Sequence, residues 1–257
     1  MNTQALQSAS PANQPQLTMN EQGQGRPVLV LHGGGGPASV AAFAEAVSRN
    51  AKVLTPIHPG FNGTPRPEWL ASVDKLAGVY LEWIAKHDLH DVLLVGFSMG
   101  GWIAAAMAAQ DASRLRGVVL VNAVGIAVEG EPVADVFGLS PQEIRALSFH
   151  NPDKFRFEPT PQQIAMTAAN FKTLAVYGRQ MQDANLKNRL ASVSLPALVA
   201  WGESDRIATP AYGRAYADAF GNGRFAPIAE SGHMPQIEQP ERLLALIEEF
   251  DAKLAKS

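Results

Sequence analysis

Short apolar runs alternate along most of the chain with longer segments in which apolar and polar residues are mixed. The short runs predict six strands, at Pro27–Leu31, Lys52–Pro56, Val92–Val95, Gly117–Val121, Pro196–Trp201 and Arg224–Ala229. The longer segments predict helices over Val40–Arg49, Glu68–His87, Met99–Gln110, Thr209–Phe220 and Pro240–Lys256. Strands that alternate with helices are typical of βαβ units. We therefore predict an α/β fold with a mostly parallel sheet flanked by helices.

The alternation stops between residues 125 and 190, where no convincing buried strand occurs. Ser140 and Thr160 are each followed by proline and, three positions on, by Glu143 or Gln163. This pattern favours a helix start, because the side chains at both positions can bind free backbone N–H groups. We predict a helical insertion over 125–190 in a core formed by 17–124 and 191–257. The polar residues 1–16 are predicted to be a flexible leader.

Residues 92–110 contain no charged side chain and are long enough for a membrane helix. The Gly-rich break at Gly96–Gly101 instead favours a buried strand that turns into a buried helix. We therefore expect no membrane span. The chain's start lacks the basic and apolar regions of a signal peptide, so a cytoplasmic location is the default expectation.

The amino-acid composition excludes several kinds of site and partner. The 257 residues are 46% hydrophobic and 18% charged, in keeping with one large α/β domain. The absence of cysteine excludes disulfides, thiolate metal sites and a thiol nucleophile. With a net charge of −3 and no basic run, nucleic acid is not expected as the main partner.

The segment Gly96-Phe97-Ser98-Met99-Gly100 is a G-x-S-x-G motif between a predicted strand and a predicted helix. In this position a serine lies on a sharp, strained turn, and its neighbours must be small for strand and helix to approach closely. The helix N-terminus beneath the hydroxyl favours developing negative charge. We predict that Ser98 is a nucleophile. The alternative is a plain Gly-rich turn.

A second glycine-rich segment, His32–Pro37, directly follows a predicted strand. Its backbone can turn N–H groups toward a cleft, so we predict an oxyanion hole formed by the N–H groups of Gly34 and Met99. Gly35 is the second choice for the first donor. A phosphate cradle is disfavoured because no Lys-Ser/Thr pair follows. His32 itself is expected to be structural.

A nucleophilic serine needs a base, and the base needs an orienting acid. His233 lies in a loop between the last strand and the last helix, where a base is expected. Asp205 follows a predicted strand and is ranked ahead of the nearby Glu203. The resulting order Ser98, Asp205, His233 matches a known order for this triad. His58, His87 and His90 are expected to be structural, at a helix end or at the pocket edge. His150, in the insertion, is expected to be structural, with contact to substrate as the alternative.

Taken together, these motifs resemble the α/β-hydrolase fold superfamily, in its serine-nucleophile branch, over residues 17–250. The resemblance rests on His32–Gly35, His58–Phe61, Gly96–Gly101, Trp201–Asp205 and Gly232–His233. It implies that the insertion is a lid or cap over the pocket and that the enzyme needs no cofactor or metal.

The nucleophile position separates the branches of this superfamily. Dehalogenase and epoxide-hydrolase relatives place aspartate there, whereas this chain has Ser98. We therefore expect a serine hydrolase that cleaves a small carboxylic ester through an acyl-enzyme. The loop at His32 also resembles that of carbon–carbon bond hydrolases of meta-cleavage products, which are the main alternative. A non-catalytic binding protein, a lyase and an acyltransferase stay open.

Substrate contacts are expected from Gly35, Phe97 and Trp102. The insertion adds apolar side chains that line a pocket or, for most of them, pack the lid onto the core: Phe137, Phe149, Phe155, Phe157, Met166, Phe171, Tyr177 and Met181. Three arginines either bind a substrate carboxylate or lie on the surface: Arg156, Arg179 and Arg189. The expected partner is a small molecule, and a homo-oligomer is compatible with the sequence.

Overall fold

A seven-stranded sheet forms the centre of the computed structural model, which describes residues 15–155 and 158–254. Most of the predicted leader, Arg156 and Phe157 lie outside the described residues. The strands are β1 Thr18–Gln22, β2 Pro27–Leu31, β3 Lys52–Ile57, β4 Val92–Phe97, β5 Leu115–Val121, β6 Gly125–Ile126, β7 Gln182–Asp183, β8 Ala197–Gly202 and β9 Gly223–Ile228. The helices are α1 Ala41–Val47, α2 Val73–Lys86, α3 Met99–Gln110, α4 Pro141–Ser148, α5 Pro161–Gly178, α6 Leu186–Leu190, α7 Pro210–Ala219, α8 Pro235–Glu238 and α9 Pro240–Leu254.

The strand order in the large sheet is β1-β3-β2-β4-β5-β8-β9. All neighbours from β3 to β9 pair in parallel, and β1 pairs antiparallel with β3. The six predicted strands and the mostly parallel sheet are therefore confirmed. Because β4, β5, β8 and β9 are neighbours, the loops that follow their carboxyl ends meet at one edge of the sheet, where ligands of open α/β sheets usually bind.

Three strands were missing from the sequence prediction. Strand β1 has the sequence TMNEQ and is largely exposed, so it lacks an apolar pattern and is held by backbone pairing at the sheet edge. The insertion contains β6 and β7, which pair in parallel over two residues each. Segments this short carry no readable periodicity.

The apolar residues of the parallel strands alternate between two cores. Leu94 belongs to the core beneath α2 and α3, whereas Leu93 and Val95 belong to the core beneath α1 and α9. Helix α3 is buried from Met99 to Ala108 and has apolar residues on every side. This burial explains the uncharged run, and no helix among the described residues is long and apolar enough to span a bilayer.

The two predicted helix starts in the insertion are confirmed. Ser140 and Thr160 each accept a hydrogen bond from the third helical residue, and Glu143 and Gln163 bind back to the backbone N–H groups of Ser140 and Thr160. Elsewhere, helix α2 begins later than predicted, because Ser72 accepts a bond from Lys75 N and caps it there.

Candidate active site

Ser98 occupies the junction between β4 and α3, at the carboxyl edge of the sheet. Its backbone has φ 52° and ψ −116°, a conformation that residues other than glycine rarely adopt. The Ser98 carbonyl oxygen accepts bonds from the N–H groups of Gly101, Trp102 and Val124, which hold this strained turn in place. The side chain is half-buried at the start of α3.

The glycines on either side of Ser98 are required by close backbone contacts. A Cβ atom on Gly96 would lie 2.2 Å from the carbonyl oxygen of Gly100. A Cβ atom on Gly100 would lie 2.0 Å from the carbonyl oxygen of Leu31. Strand and helix can therefore cross at this distance only with glycine at both positions.

The glycine-rich loop after β2 lies against Ser98. A Cβ atom on Gly33 would stand 3.0 Å from the Cβ and 3.6 Å from the Oγ of Ser98. Among the described residues, neither the Gly34 nor the Met99 backbone N–H has a hydrogen-bond partner. Leu174 of α5 packs over Gly34, at 3.0 Å from the position of a Cβ atom there.

Asp205 and His233 form a buried pair. The Nδ1 atom of His233 lies 2.8 Å from Oδ2 of Asp205. The other oxygen, Oδ1, accepts bonds from the N–H groups of Ile207 and Ala208, at 2.8 and 3.2 Å. An ionised carboxylate can only accept, so Nδ1 carries the proton and Nε2 has the free lone pair. The competing acid, Glu203, is exposed.

Sequence reasoning missed Asn122, a fully buried residue that follows β5 and has φ 46°. Its Nδ2 atom donates to Oδ2 of Asp205 at 2.6 Å and to the carbonyl oxygen of Gly232 at 3.3 Å. Its Oδ1 atom accepts from Gly202 N at 3.3 Å. The signal in the sequence was a polar residue directly after a buried strand, next to the strand that carries the acid.

A buried network supports the glycine-rich loop. His32 Nδ1 donates to the carbonyl oxygen of Gly33 at 2.8 Å, and its Nε2 accepts from His58 N at 3.2 Å. His58 Nε2 donates to the His32 carbonyl oxygen at 2.9 Å, and His58 Nδ1 accepts from the Tyr80 hydroxyl at 2.6 Å. These roles need both rings neutral and match the structural role expected for His32.

The pKa shifts follow from the same burial. Desolvation lowers the pKa of His32 from 6.5 to about 4, and the bond to Gly33 opposes this only in part. Desolvation, with the nearby His32, also lowers the pKa of His58 well below its usual value. Burial raises the pKa of Tyr80 well above its usual range. All three groups are therefore uncharged near neutral pH.

The residues expected to contact substrate lie around this centre. Phe97 is buried and packs edge-on against Phe43, with ring centroids 5.1 Å apart. Trp102 is also buried, and its ring abuts the Cα positions of Gly125 and Gly178. Gly35 faces the side chain of Ser39. Their contact with substrate stays a prediction.

Two of the three candidate arginines can be placed. The Arg179 guanidinium stacks over the Phe137 ring, 4.6 Å from its centroid. Arg189 forms ion pairs with Asp74 and Asp183, at 2.8 and 2.9 Å. These two carboxylates occupy the guanidinium that a substrate carboxylate would need. The ion pairs therefore favour the alternative in which Arg189 lies on the surface and does not bind substrate.

Comparison with known proteins shows the family of this chain. A sequence profile of the alpha/beta hydrolase family matches residues 28–246, and the protein belongs to that family. The 2-hydroxymuconate semialdehyde hydrolase of Pseudomonas putida is 26% identical over 91% of this chain and 90% of its own. The family and this relative support hydrolase activity.

Two solved structures share the fold. A thermophilic esterase from Thermogutta terrifontis superposes with a TM-score of 0.78 at 24% identity, with 96% of each chain covered. A meta-cleavage product hydrolase from Pseudomonas fluorescens IP01 has a TM-score of 0.76 at 20% identity, covering 92% of this chain and 94% of its own. The predicted α/β-hydrolase fold is thereby confirmed.

Proposed function

We propose that this protein is a serine hydrolase that cleaves a small carboxylic ester through an acyl-enzyme. The observation that carries the proposal is the buried pair of His233 Nδ1 and Asp205 Oδ2, 2.8 Å apart, at the sheet edge where Ser98 lies. A histidine held in this tautomer presents Nε2 as a base. The strained turn at Ser98 supports its role as the nucleophile.

The proposed reaction has two halves. His233 Nε2 takes the proton of the Ser98 hydroxyl, and Ser98 Oγ attacks the carbonyl carbon of the ester. The imidazolium, stabilised by Asp205, then gives its proton to the departing alcohol. In the second half His233 Nε2 takes a proton from a water molecule, whose oxygen attacks the acyl carbon. The imidazolium then returns this proton to Ser98 Oγ as the bond between Oγ and the acyl carbon breaks, which releases the acid and restores Ser98.

The backbone N–H groups of Gly34 and Met99 are the proposed oxyanion hole. Met99 directly follows Ser98, and Gly33, the neighbour of Gly34, lies against the Ser98 side chain. Neither of the two N–H groups has a partner among the described residues. Donors that are already aimed at the place where charge develops stabilise the transition state without reorganisation. The network of His32, His58 and Tyr80 holds the loop that carries Gly34.

We infer that the insertion, residues 125–190, covers this site as a cap. Helix α5 supports this role, because Leu174 packs over Gly34 while three polar side chains of the same helix bind the loop after β3. Asn170 Oδ1 accepts from Asn62 N at 2.8 Å, Thr173 Oγ1 donates to the Gly60 carbonyl oxygen at 2.8 Å, and Tyr177 Oη donates to the Pro59 carbonyl oxygen at 2.8 Å.

Cleavage of a carbon–carbon bond in a meta-cleavage product is the second candidate. It is favoured by the name of the Pseudomonas putida relative and of the Pseudomonas fluorescens structure. A single comparison separates the two candidates: p-nitrophenyl esters of rising chain length assayed beside a dienoate meta-cleavage product. Higher kcat/KM on a short ester supports the esterase, and higher kcat/KM on the dienoate supports the alternative.

The nucleophile is tested by labelling with a fluorophosphonate probe. We expect wild type and the control Ser113→Ala, which removes an exposed serine hydroxyl, to be labelled. Ser98→Ala should lose labelling and about 10⁴- to 10⁶-fold of turnover while it stays folded. A folded Ser98→Ala variant that retains turnover would disprove the assignment. Absence of labelling in the wild type would favour a non-catalytic binding protein.

A further inference from the structure

The loop that carries His233 is held by a carboxylate outside the proposed triad. Glu238, at the end of α8, accepts a hydrogen bond from Gly232 N through Oε2 at 2.6 Å. Its second oxygen, Oε1, accepts from His150 N at 2.9 Å and Asn151 N at 3.4 Å. One carboxylate therefore joins the residue before the base to the insertion.

Direct contacts press the same two segments together. His233 N donates to the carbonyl oxygen of Ser148 at 2.6 Å. A Cβ atom on Gly232 would lie 2.3 Å from that oxygen and 3.0 Å from His150 N. There is room for this packing only because residue 232 is glycine. The loop that carries His233 is therefore packed directly against residues 148–151.

The loop that carries Asp205 contacts the same stretch of the insertion. Ser204 Oγ lies 2.7 Å from His150 Nδ1, and Ser204 N donates to the Ser231 carbonyl oxygen at 2.8 Å. The Arg206 guanidinium donates to the carbonyl oxygens of Ala146 and Phe149, near the end of α4. The segment 146–151 thus contacts both the loop that carries Asp205 and the loop that carries His233.

Glu238 is the only charged acceptor that the described residues supply to the N–H groups of Gly232 and His150. Hydrogen bonds to an ionised acceptor are roughly twice as strong as neutral ones. Without this carboxylate, Gly232 N would lose its acceptor, and the bonds from Asn122 Nδ2 to the Gly232 carbonyl oxygen and from His233 N to the Ser148 carbonyl oxygen would remain. The imidazole of His233 would then be less tightly aligned with Asp205.

We propose that Glu238 is a positioning residue that holds the His233 loop against residues 148–151 and so aligns the base with Asp205 and Ser98. This inference rests on the proposed serine hydrolase function. It assigns Glu238 no contact with substrate. It also makes the insertion part of the positioning of the base, since a movement of residues 148–151 would be transmitted through Glu238 to Gly232.

Three variants separate geometry from charge. Glu238→Gln removes the charge and places an NH₂ group against one of the N–H donors. Glu238→Asp keeps the charge but shortens the reach by one methylene. Glu248→Gln is the matched control, because it removes the same charge from an exposed position on α9.

We expect both Glu238 variants to lose about 10- to 100-fold in kcat/KM toward a p-nitrophenyl ester, since a misplacement of about 1 Å can cost 100-fold. The loss should lie in kcat, with little change in KM, and the thermal midpoint should stay near that of the control. Activity within twofold of wild type in both variants would refute the proposal. A loss confined to Glu238→Gln would also support the proposal, because the ionised acceptor for Gly232 N would then be what holds the loop.

A readout that needs no turnover completes the test. The His233 Nδ1–H proton, shared with Asp205, can be followed by NMR in wild type and variants. We expect it to shift upfield or broaden in both Glu238 variants and to stay unchanged in Glu248→Gln. An unchanged signal in the Glu238 variants would overturn the proposal. Failure of the serine hydrolase function would appear separately, as absent fluorophosphonate labelling of the wild type.

Discussion

Asn122 Nδ2 lies 2.6 Å from Asp205 Oδ2, the same oxygen that binds His233 Nδ1. All three side chains are buried. A buried carboxylate without hydrogen-bond partners is costly. Donors to both of its oxygens remove this cost and fix its orientation. Asn122 therefore supplies a donor to the carboxylate of Asp205 and also binds the carbonyl oxygen of Gly232, the residue before His233.

Replacement of Asn122 by alanine should lower kcat/KM. A hydrogen bond to a charged group contributes about 1.5–3 kcal/mol, which corresponds to a loss of about 10- to 150-fold. Asn122→Asp should be worse, because it places a second carboxylate against Asp205. Steady-state kinetics with a p-nitrophenyl ester measures both effects, and thermal unfolding verifies that the variants fold. An Asn122→Ala variant with wild-type kinetics would contradict this role.

The turn at Ser98 should be intolerant of any added side-chain atom. Gly100→Ala places a Cβ atom 2.0 Å from the Leu31 carbonyl oxygen, a backbone group that cannot move aside alone. We expect a loss of about 1–3 kcal/mol or more in the free energy of unfolding. The control is Gly138→Ala, where no atom lies within 4 Å and the change should be within about 0.5 kcal/mol. Equal stability of the two variants in urea denaturation would argue against so close a crossing of strand and helix.

Stability should fall as the solution is acidified from about pH 6.5. The unfolded chain protonates His32 and His58 near pH 6.5, whereas burial in the folded protein keeps His32 neutral down to about pH 4 and holds the pKa of His58 well below its usual value. The unfolded state thus binds more protons in this window, and the free energy of unfolding rises with pH. For His32 alone, the full shift corresponds to about 3 kcal/mol.

Denaturant titrations between pH 5 and 7 test this dependence, since few carboxylates titrate there. Lys187→Gln, at an exposed position, serves as the control and should show the slope of wild type. His58→Gln, if it folds, should show a shallower slope. A flat profile for wild type over this range would mean that the buried histidines accept protons as easily as free ones.

Helix α5 should detach from the core when its polar contacts are removed. Asn170→Ala leaves the N–H of Asn62 without its acceptor, and Tyr177→Phe removes the donor to the Pro59 carbonyl oxygen. We expect faster proteolysis and faster amide exchange within α5. For the buried Asn170, the free energy of local opening should fall by about 1–3 kcal/mol. The control, Lys172→Ala, alters an exposed position of the same helix. Unchanged exchange in Asn170→Ala would contradict this role of the polar contacts.

The periodic parts of the fold were predictable because their signal is local. Buried parallel strands need continuous apolar runs, and helices such as α4 and α5 need capping residues at their first turn. The edge strand β1 was not predictable, because backbone pairing with β3 holds it without an apolar face. The two-residue pair of β6 and β7 was too short for any pattern.

The sequence by itself determined the α/β architecture. It also led to the predictions of a helical insertion and of the roles proposed for Ser98, Asp205 and His233, since each follows from residues adjacent in the chain and from the order of elements. Only the tertiary structure decided which residues hold these groups in place. Asn122 and Glu238 reach partners through contacts that depend on the packing of β5 beside β8 and of the insertion against the base loop. Such contacts join segments distant in sequence, and no local pattern records them.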